Sequence, residues 1–221
     1  ARFPNVLLNN FIVLYGTGNN GGDALSIARM LLFAGCKVSI IEAVGSPKTP
    51  DTKLQFDMLL KTALGRDNLK QITTSDVSKY INDNTIIIDG VFGTGFKIEP
   101  SKPLDKDLVK LFKDVKKAPY VFSIDVPSGV DADTGEVAPG AIEADCTISF
   151  IFPKVGLFIA PASIHAGDVI VKPLFFPIKH INTNYELITE HFARELIAPL
   201  KRQPNTHKGT YGHVAIISPD K

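Results

Sequence analysis

The chain has 221 residues, 44% of them hydrophobic, which suits one or two domains with an ordinary buried core. Its 24 basic and 23 acidic residues give a net charge of +1, so no excess of positive charge points to nucleic acid or to an anionic membrane. No apolar stretch approaches the roughly 20 residues of a membrane-spanning helix, and we expect neither nucleic acid nor a membrane as a partner. Two cysteines, Cys36 and Cys146, do not suggest a disulfide framework, and we expect reduced, buried thiols in a cytoplasmic protein.

Short apolar, β-branched runs alternate with helical patterns along the chain, which is typical of parallel βαβ units. The predicted strands are Phe11–Tyr15, Lys37–Ala43, Thr85–Asp89, Tyr120–Asp125, Cys146–Phe152, Asp168–Lys172 and Gly212–Ser218. The predicted helices are Asp23–Ala34, closed by Gly35, then Asp51–Leu64, a short one at Ser75–Tyr80, and Leu104–Val115. Because most of these strands lack apolar/polar alternation, helices should cover both faces of the sheet. The predicted fold class is therefore α/β, a Rossmann-like three-layer α/β/α arrangement with a mostly parallel sheet.

The compact pattern continues to about Pro177, after which the sequence becomes polar and irregular. Residues Leu200–Tyr211 are typical of a linker that leads into a new strand, and a strand with nothing after it cannot bury itself. We therefore expect one domain over residues 1–199, with a linker and the first strand of a second domain over residues 200–221.

A glycine-rich turn joins the first predicted strand to the first predicted helix. Gly16–Gly21 satisfies GxGxxG, and Glu42 stands near the end of the next strand, close to the spacing of a ribose-binding acid. Glycines allow close backbone approach, and the free N–H groups of a helix N-terminus favour a phosphate. Alternatively the glycines only make a sharp turn and Asp23 only caps the helix. The polar pair Asn19 and Asn20, which a simple turn does not need, favours a ligand site.

Two further loops follow predicted strands. The first contains DGVFGTGF, from Asp89 to Phe96, and the second contains SIDVPSGVDADTG, with Asp125 and Ser128. Because the carboxyl ends of parallel strands line one crevice, the three loops should converge on a single ligand site. Asp89 and Asp125, each at a strand end, are its candidate functional carboxylates.

Several other chemistries lack their sequence signatures. Asp131–Gly135 resembles a calcium loop, but Ile142 stands where the twelfth-position glutamate belongs, so an Asx-rich surface turn is favoured. Ser128 is not in a GxSxG elbow, and the histidines show no zinc-ligand spacing. Lys154 interrupts an apolar run directly after a strand. It is either an acid, base or anion partner or a side chain whose stem reaches towards water.

The motifs taken together resemble the NAD(P)H-hydrate epimerase family, the amino-terminal domain type of the bifunctional NAD(P)H-hydrate repair enzymes. The resemblance covers roughly Asn5–Pro177 and rests on GTGNNGGDALSIARML, DGVFGTGF, SIDVPSGVDADTG and FPKVGL. Ala24 departs from the glycine that commonly follows NNGGD, and the family's helical region before the first strand is not in this sequence. The segment RQPNTHKGTYGHVAIIS is similar to the opening of the ADP-dependent hydrate dehydratase domain of the bifunctional members.

The resemblance implies an isomerase that interconverts the R and S forms of nicotinamide cofactors hydrated at C6 of the ring. Its substrate would be a small-molecule dinucleotide, NADHX or NADPHX, and the family often forms dimers, which implies a homodimer or higher oligomer. Dehydratase activity is expected only in a full-length bifunctional parent. Glu42 would disfavour a 2′-phosphate if the adenosine ribose lay beside it.

The resemblance also implies site residues. A potassium ion would be held by Asn20, Asp89 and Ser128, an all-oxygen set that suits a hard cation. The implied substrate contacts are Asn19, Asn20, Gly21, Gly22 and Asp23, then Gly93, Thr94, Gly95, Phe96, Lys97, Ile98 and Glu99, and Asp125. Asp125 and Lys154 are the candidates for the catalytic acid/base pair.

Two other functions stay open at the level of sequence. GxGxxG with Glu42 fits an NAD-dependent dehydrogenase, which would use the intact cofactor. A Rossmann-like domain can also serve as a non-catalytic binding scaffold, for which Asp125 would be dispensable.

Overall fold

The computed structural model describes residues 6–63, 67–174, 185–197 and 205–206. The chain divides into two units, Ala1–His180 and Ile181–Lys221. In the second unit the described residues form one helix, Glu190–Ile197, on whose surface Arg194 pairs with Glu190. The predicted strand Gly212–Ser218 lies outside the described residues, so the division at residue 200 stays a prediction.

The first unit is built on a seven-stranded sheet whose strands all pair in parallel. In chain order the strands are β1 Asn10–Tyr15, β2 Lys37–Glu42, β3 Leu69–Gln71, β4 Thr85–Gly90, β5 Tyr120–Ile124, β6 Cys146–Phe150 and β7 Asp168–Lys172. Their order across the sheet is β3-β2-β1-β4-β5-β6-β7. The order reverses between β1 and β4, and in an open α/β sheet such a switch point forms the ligand crevice.

Helices and 3₁₀ turns connect the strands. The helices are α1 Asn19–Phe33, α2 Pro50–Ala63, α3 Lys106–Val115 and α4 Ala162–Ala166, and we label the helix of the second unit α5. The 3₁₀ segments are Val6–Leu8, Thr74–Lys79 and Val155–Phe158. None of the helices in the described ranges has both the length and the apolar character needed to cross a bilayer.

Apolar residues cover both faces of the sheet, as the three-layer prediction requires. Along β1, Ile12 and Leu14 pack in one buried cluster and Phe11, Val13 and Tyr15 in the other, because successive side chains of a strand point to opposite faces. The first cluster includes the buried face of α3, and the second includes the buried face of α1. The α/β/α fold class is confirmed, and Cys36 and Cys146 are buried and not joined in a disulfide, as expected.

Several boundaries differ from the sequence prediction for physical reasons. Helix α1 begins at Asn19 and not at Asp23. The low helix propensity of Gly21 and Gly22 does not delay the start of the helix, because close packing of both glycines against neighbouring residues holds them in place. An added Cβ at Gly21 would lie 2.1 Å from the Gly16 carbonyl oxygen. Gly35 ends that helix with a φ of +91°, as predicted. Strands β5 and β6 stop one and two residues early, where Asp125 and Ile151 turn the chain away.

Candidate functional site

A cavity of about 800 Å³ opens at the carboxyl ends of β1 and β4, beside the switch point of the sheet. This volume lies in the range of small-molecule sites, roughly 300–1,000 Å³. Four segments form its wall: the glycine-rich turn with the start of α1, the loop after β2, the long loop between β4 and α3, and the end of β5. The lining residues are Thr17, Gly18, Asn19, Asn20, Asp23, Val44, Thr49, Val91, Phe92, Gly93, Thr94, Gly95, Phe96, Lys97, Glu99, Lys102, Pro103, Leu104, Asp105, Leu108 and Asp125.

Asp125 leaves β5 in a turn that few residue types adopt. Its φ is +65°, and the Val126 N–H donates to the Ile124 carbonyl at 2.8 Å, so Asp125 is the centre of a classic γ-turn. The same turn follows β6, where Ile151 has a φ of +66° and Phe152 N donates to Phe150 O at 2.7 Å. Such strained positions cluster at functional sites, where the surrounding structure enforces them.

The end of β6 holds Asp125 and Lys154 together. The Lys154 ammonium donates to Asp125 Oδ1 at 2.5 Å and to the Phe150 carbonyl at 2.6 Å. The Phe150 N–H donates to the same Asp125 oxygen at 3.1 Å. Among the described residues none donates to Oδ2 of Asp125. Asp125 lines the cavity, and we call this unengaged atom its open oxygen.

Asp89, at the end of β4, is completely buried and does not line the cavity. Its carboxylate accepts hydrogen bonds from Ser128 Oγ at 2.5 Å, Ser128 N at 2.9 Å, Ser123 Oγ at 2.8 Å and Val91 N at 3.3 Å. Burial raises the pKa of Asp89, and these hydrogen bonds oppose the shift only in part. No cationic side chain of the described residues pairs with it, so the Asp89 carboxylate has no counter-ion among them.

Asn20 joins this buried carboxylate to the cavity wall through Phe92. Ser128 Oγ accepts from the Phe92 N–H at 2.9 Å, while Asn20 Nδ2 donates to the Phe92 carbonyl at 2.7 Å and to the Ile124 carbonyl at 3.2 Å. Asn20, Asp89 and Ser128, which were predicted from distant parts of the sequence, therefore belong to one hydrogen-bonded network.

Asp23 occupies the second turn of α1 and lines the cavity, so it is not the cap residue of that helix. The N-cap residue is Gly18, which has no side chain and therefore no hydroxyl or carboxylate that could accept from the first N–H groups of the helix. Desolvation in the cavity raises the pKa of Asp23, and the nearby negative charge of Asp125 raises it further. The two cavity carboxylates thus have different neighbours. Asp125 is paired with Lys154, whereas Asp23 lies near the negative charge of Asp125.

The loop after β4 is fastened to the loop after β5. Lys97 pairs with Asp131 at 3.1 Å and with Asp133 at 2.6 Å. Asp131 also accepts from the N–H groups of Asp133 and Thr134, which confirms the predicted Asx turn. On the same loop the rings of Phe92 and Phe96 stack with centroids 5.0 Å apart.

The predicted site residues fall into three groups. Asn19, Asn20, Asp23, Gly93–Lys97, Glu99 and Asp125 line the cavity. Gly21, Gly22 and Ile98 do not line it, nor do the buried Asp89 and Ser128. Lys154 reaches the cavity only through Asp125.

Sequence reasoning missed the contribution of the loop after β2, which brings Val44 and Thr49 to the wall. The rule that loops after strand ends line the crevice would have included it. Glu42, by contrast, does not line the cavity: its carboxylate accepts from Tyr15 OH at 3.4 Å and from Ser46 Oγ at 3.3 Å. In the part of the chain described here, no three His, Cys, Asp or Glu side chains cluster as a metal centre.

Comparison with known proteins identifies the family to which the chain belongs. The family described as "YjeF-related protein N-terminus" matches residues 1–156. The chain is 34% identical over 221 residues to the bifunctional NAD(P)H-hydrate repair enzyme Nnr of Dictyoglomus turgidum, which covers 98% of this chain but 41% of that protein. It is also 34% identical over 168 residues to the NAD(P)H-hydrate epimerase of Leuconostoc kimchii, covering 76% of this chain and 69% of that protein.

One solved structure supports the fold. The yeast protein ynu0, YNL200c, superposes with a TM-score of 0.60 at 22% identity, covering 97% of this chain and 83% of the yeast chain. The chain spans less than half the length of the bifunctional relative, but more than two thirds of the epimerase relative. On these matches, the chain belongs to the YjeF-related N-terminal family, the family of the proteins named NAD(P)H-hydrate epimerase.

Proposed function

We propose that the chain is an NAD(P)H-hydrate epimerase, an isomerase that interconverts the R and S hydrates of NADH and NADPH. The observation that carries the proposal is the open Oδ2 of Asp125 on the wall of a cavity sized for a small molecule. Relatives bearing that name support the choice of substrate. The name of the bifunctional relative supports dehydratase activity in a longer parent protein. A cytoplasmic location and a homodimer or higher oligomer are proposed on the family resemblance alone.

The reaction needs proton transfer but no redox partner and no nucleophile. Carbon C6 of the hydrated ring carries a hydroxyl group and the ring nitrogen. When a base removes the hydroxyl proton and the C6–N bond breaks, the nitrogen takes a proton and C6 becomes an aldehyde. Closure on the opposite face of the aldehyde reverses both proton transfers and gives the other epimer. One acceptor and one donor beside C6 therefore suffice.

Asp125 is the proton acceptor in this proposal. Its Oδ1 is occupied by Lys154 and Phe150 N, which leaves Oδ2 for the substrate hydroxyl. Lys154 does not line the cavity, so it acts by orienting the carboxylate and compensating its charge. Asp23 is the candidate donor, because it lines the same cavity, and burial and the charge of Asp125 both raise its pKa.

A monovalent cation such as potassium would fit at Asn20, Asp89 and Ser128. The buried charge of Asp89 has no cationic side chain beside it among the described residues, and an unpaired buried charge is costly. Two carbonyl oxygens, of Phe92 and Ile124, point at the Asn20 side chain, which is a surrounding that favours positive charge. When bound, the cation would neutralise Asp89 and fix the loops that carry the cavity wall.

Separation of R- and S-NADHX by chromatography over time tests the proposal. We expect the chain to speed their equilibration, and a rate equal to that in buffer contradicts the epimerase function. The dehydrogenase alternative predicts a change in nicotinamide absorbance with an alcohol or acid substrate, and the position of Glu42 outside the cavity weighs against it. A non-catalytic scaffold would bind the dinucleotide without changing the ratio of epimers.

A further inference from the structure

The start of α2 braces the glycine-rich turn through two threonine hydroxyls. Thr52 is completely buried, and its Oγ1 donates to the carbonyl oxygen of Gly18 at 2.8 Å. Thr49 Oγ1 lies 2.8 Å from Thr52 Oγ1 and accepts from the Thr52 N–H at 3.3 Å. Thr49 also lines the cavity. A line of hydroxyl groups therefore runs from the cavity wall to the residue that precedes α1.

The direction of these hydrogen bonds follows from counting protons. A threonine hydroxyl has one proton, and that of Thr52 is used on the Gly18 carbonyl. The shared bond with Thr49 must then be donated by Thr49. The cavity-facing hydroxyl is thereby oriented by the buried one, and both are set by the backbone of the turn.

The start of α1 has no side-chain cap, so no side chain of the turn itself fixes the conformation of Gly18. Gly18, the cap residue of α1, has extended backbone and offers no side-chain hydrogen bond to the first turn of the helix. Within the described residues of α1, the Gly18 carbonyl accepts from the N–H of Gly22, at 3.2 Å. Gly22 itself packs on Thr52, since an added Cβ there would lie 3.0 Å from Thr52 Oγ1.

We propose that Thr52 is a positioning residue of the cavity, whose hydroxyl fixes the Gly18 carbonyl and so the backbone of Asn19 and Asn20. Asn19 and Asn20 line the cavity, so the position of their backbone sets the wall against which part of the substrate lies. The effect of Thr52 on substrate binding rests on the proposed epimerase function. The effect of Thr52 on the backbone of the turn does not depend on that function.

Three variants test the role. Thr52→Val removes the hydroxyl at nearly constant volume, and Thr52→Ser keeps it. Thr147→Val is the matched control, because Thr147 is also completely buried and also donates to a backbone carbonyl, that of Ala166, at 2.7 Å. Thr147 does not line the cavity. Both valine variants should lower the thermal midpoint by similar amounts, and the serine variant should lower it less.

The kinetic result separates positioning from simple destabilisation. With Thr52→Val we expect KM for NADHX to rise about tenfold while kcat changes by less than about twofold, because contacts from this wall to a non-reacting part of the substrate are lost equally in the ground and transition states. Thr52→Ser should restore the wild-type KM, and Thr147→Val should leave it unchanged. Equal kinetic constants for Thr52→Val and Thr147→Val would overturn the proposal.

Amide hydrogen exchange gives a test that does not depend on activity. The Gly22 N–H, bonded to Gly18 O, should exchange about fivefold faster in Thr52→Val than in Thr147→Val, because the brace no longer opposes local opening. If the wild-type chain is inactive and this difference is present, the proposed function fails and the brace stands. If Gly22 is protected equally in both variants, the positioning role of Thr52 is wrong whatever the activity.

Discussion

Asp89 and Asp125 lie at the ends of the neighbouring strands β4 and β5, and their surroundings are opposite. Asp89 closes β4 and is completely buried, held by two serine hydroxyls and two backbone N–H groups. Asp125 follows β5, lines the cavity and has a lysine for its counter-ion. A strand-end position brings both carboxylates to the same edge of the sheet, but burial and partners decide what each can do. The buried carboxylate suits a structural or cation-binding role, and the one on the cavity wall suits proton transfer.

The largest expected effect comes from removing the open carboxylate. Asp125→Asn should lower kcat about 10³-fold, in the range lost with a general acid or base, because an amide cannot accept the proton. The free energy of unfolding should fall as well, because the largely buried Lys154 loses its counter-ion, although asparagine tolerates the positive φ of this position.

Epimerisation kinetics and urea unfolding measure the two effects of Asp125→Asn. Asp76→Asn, on a 3₁₀ turn that does not line the cavity, is the control and should keep full activity. If Asp125→Asn keeps more than a tenth of the wild-type rate, Asp125 is not the proton acceptor.

Replacing the lysine partner should have an intermediate effect. With Lys154→Met, Phe150 N still holds Oδ1 of Asp125, but the charge of the carboxylate is no longer compensated. We expect kcat to fall about 30-fold, with KM nearly unchanged, because the lysine does not line the cavity. Lys110→Met, which removes an exposed ion pair on α3, is the matched control and should leave both constants as they are. A Lys154→Met variant that changes only KM would place the lysine on the substrate instead of on Asp125.

The role of the buried Asp89 carboxylate is tested by the response of the free energy of unfolding to cations. Potassium should raise the free energy of unfolding of the wild-type chain by about 1–3 kcal/mol relative to lithium at equal ionic strength, because a ligand of the folded state stabilises it. Asp89→Asn should abolish this difference, since the charge that needs neutralising is gone. Urea unfolding in the two salts gives both numbers. A wild-type chain indifferent to the cation would remove the assignment of Asn20, Asp89 and Ser128.

A third carboxylate provides the smallest effect. Asp114 on α3 pairs with Lys117 at 2.6 Å and Lys110 at 2.9 Å, and these hydrogen bonds lower its pKa to about 2. Because the folded pKa lies below the unfolded one, the pairs stabilise the fold above pH ~4 and the benefit is lost as the pH falls towards 2. Both lysines are well exposed, so Asp114→Asn should cost about 1 kcal/mol at pH 7 and nothing near pH 2. A cost that does not change with pH in urea unfolding would contradict the ion-pair explanation.

Asp89 and Asp125 also show which features of the site can be predicted from the sequence and which cannot. Strand-end positions predicted that Asp89, Asp125 and the NNGGD segment meet, because the geometry of a parallel sheet alone requires it. The opposite burial of Asp89 and Asp125 could not be read, since it depends on Ser123 and Ser128 closing over one carboxylate. The pairing of Lys154 with Asp125 depends on the strained turn at Ile151, which no propensity predicts. Thr52 gave no signal because an isolated threonine at a helix start is commonplace.

The central claim is that the open oxygen of Asp125 serves epimerisation of a hydrated nicotinamide ring. Its most direct test starts from pure S-NADHX and follows the appearance of the R epimer with the wild-type chain, with Asp125→Asn and in buffer. We expect rapid equilibration of the two epimers with the wild-type chain and a rate close to that in buffer with the variant. Equal rates for the wild-type chain and the variant would contradict it.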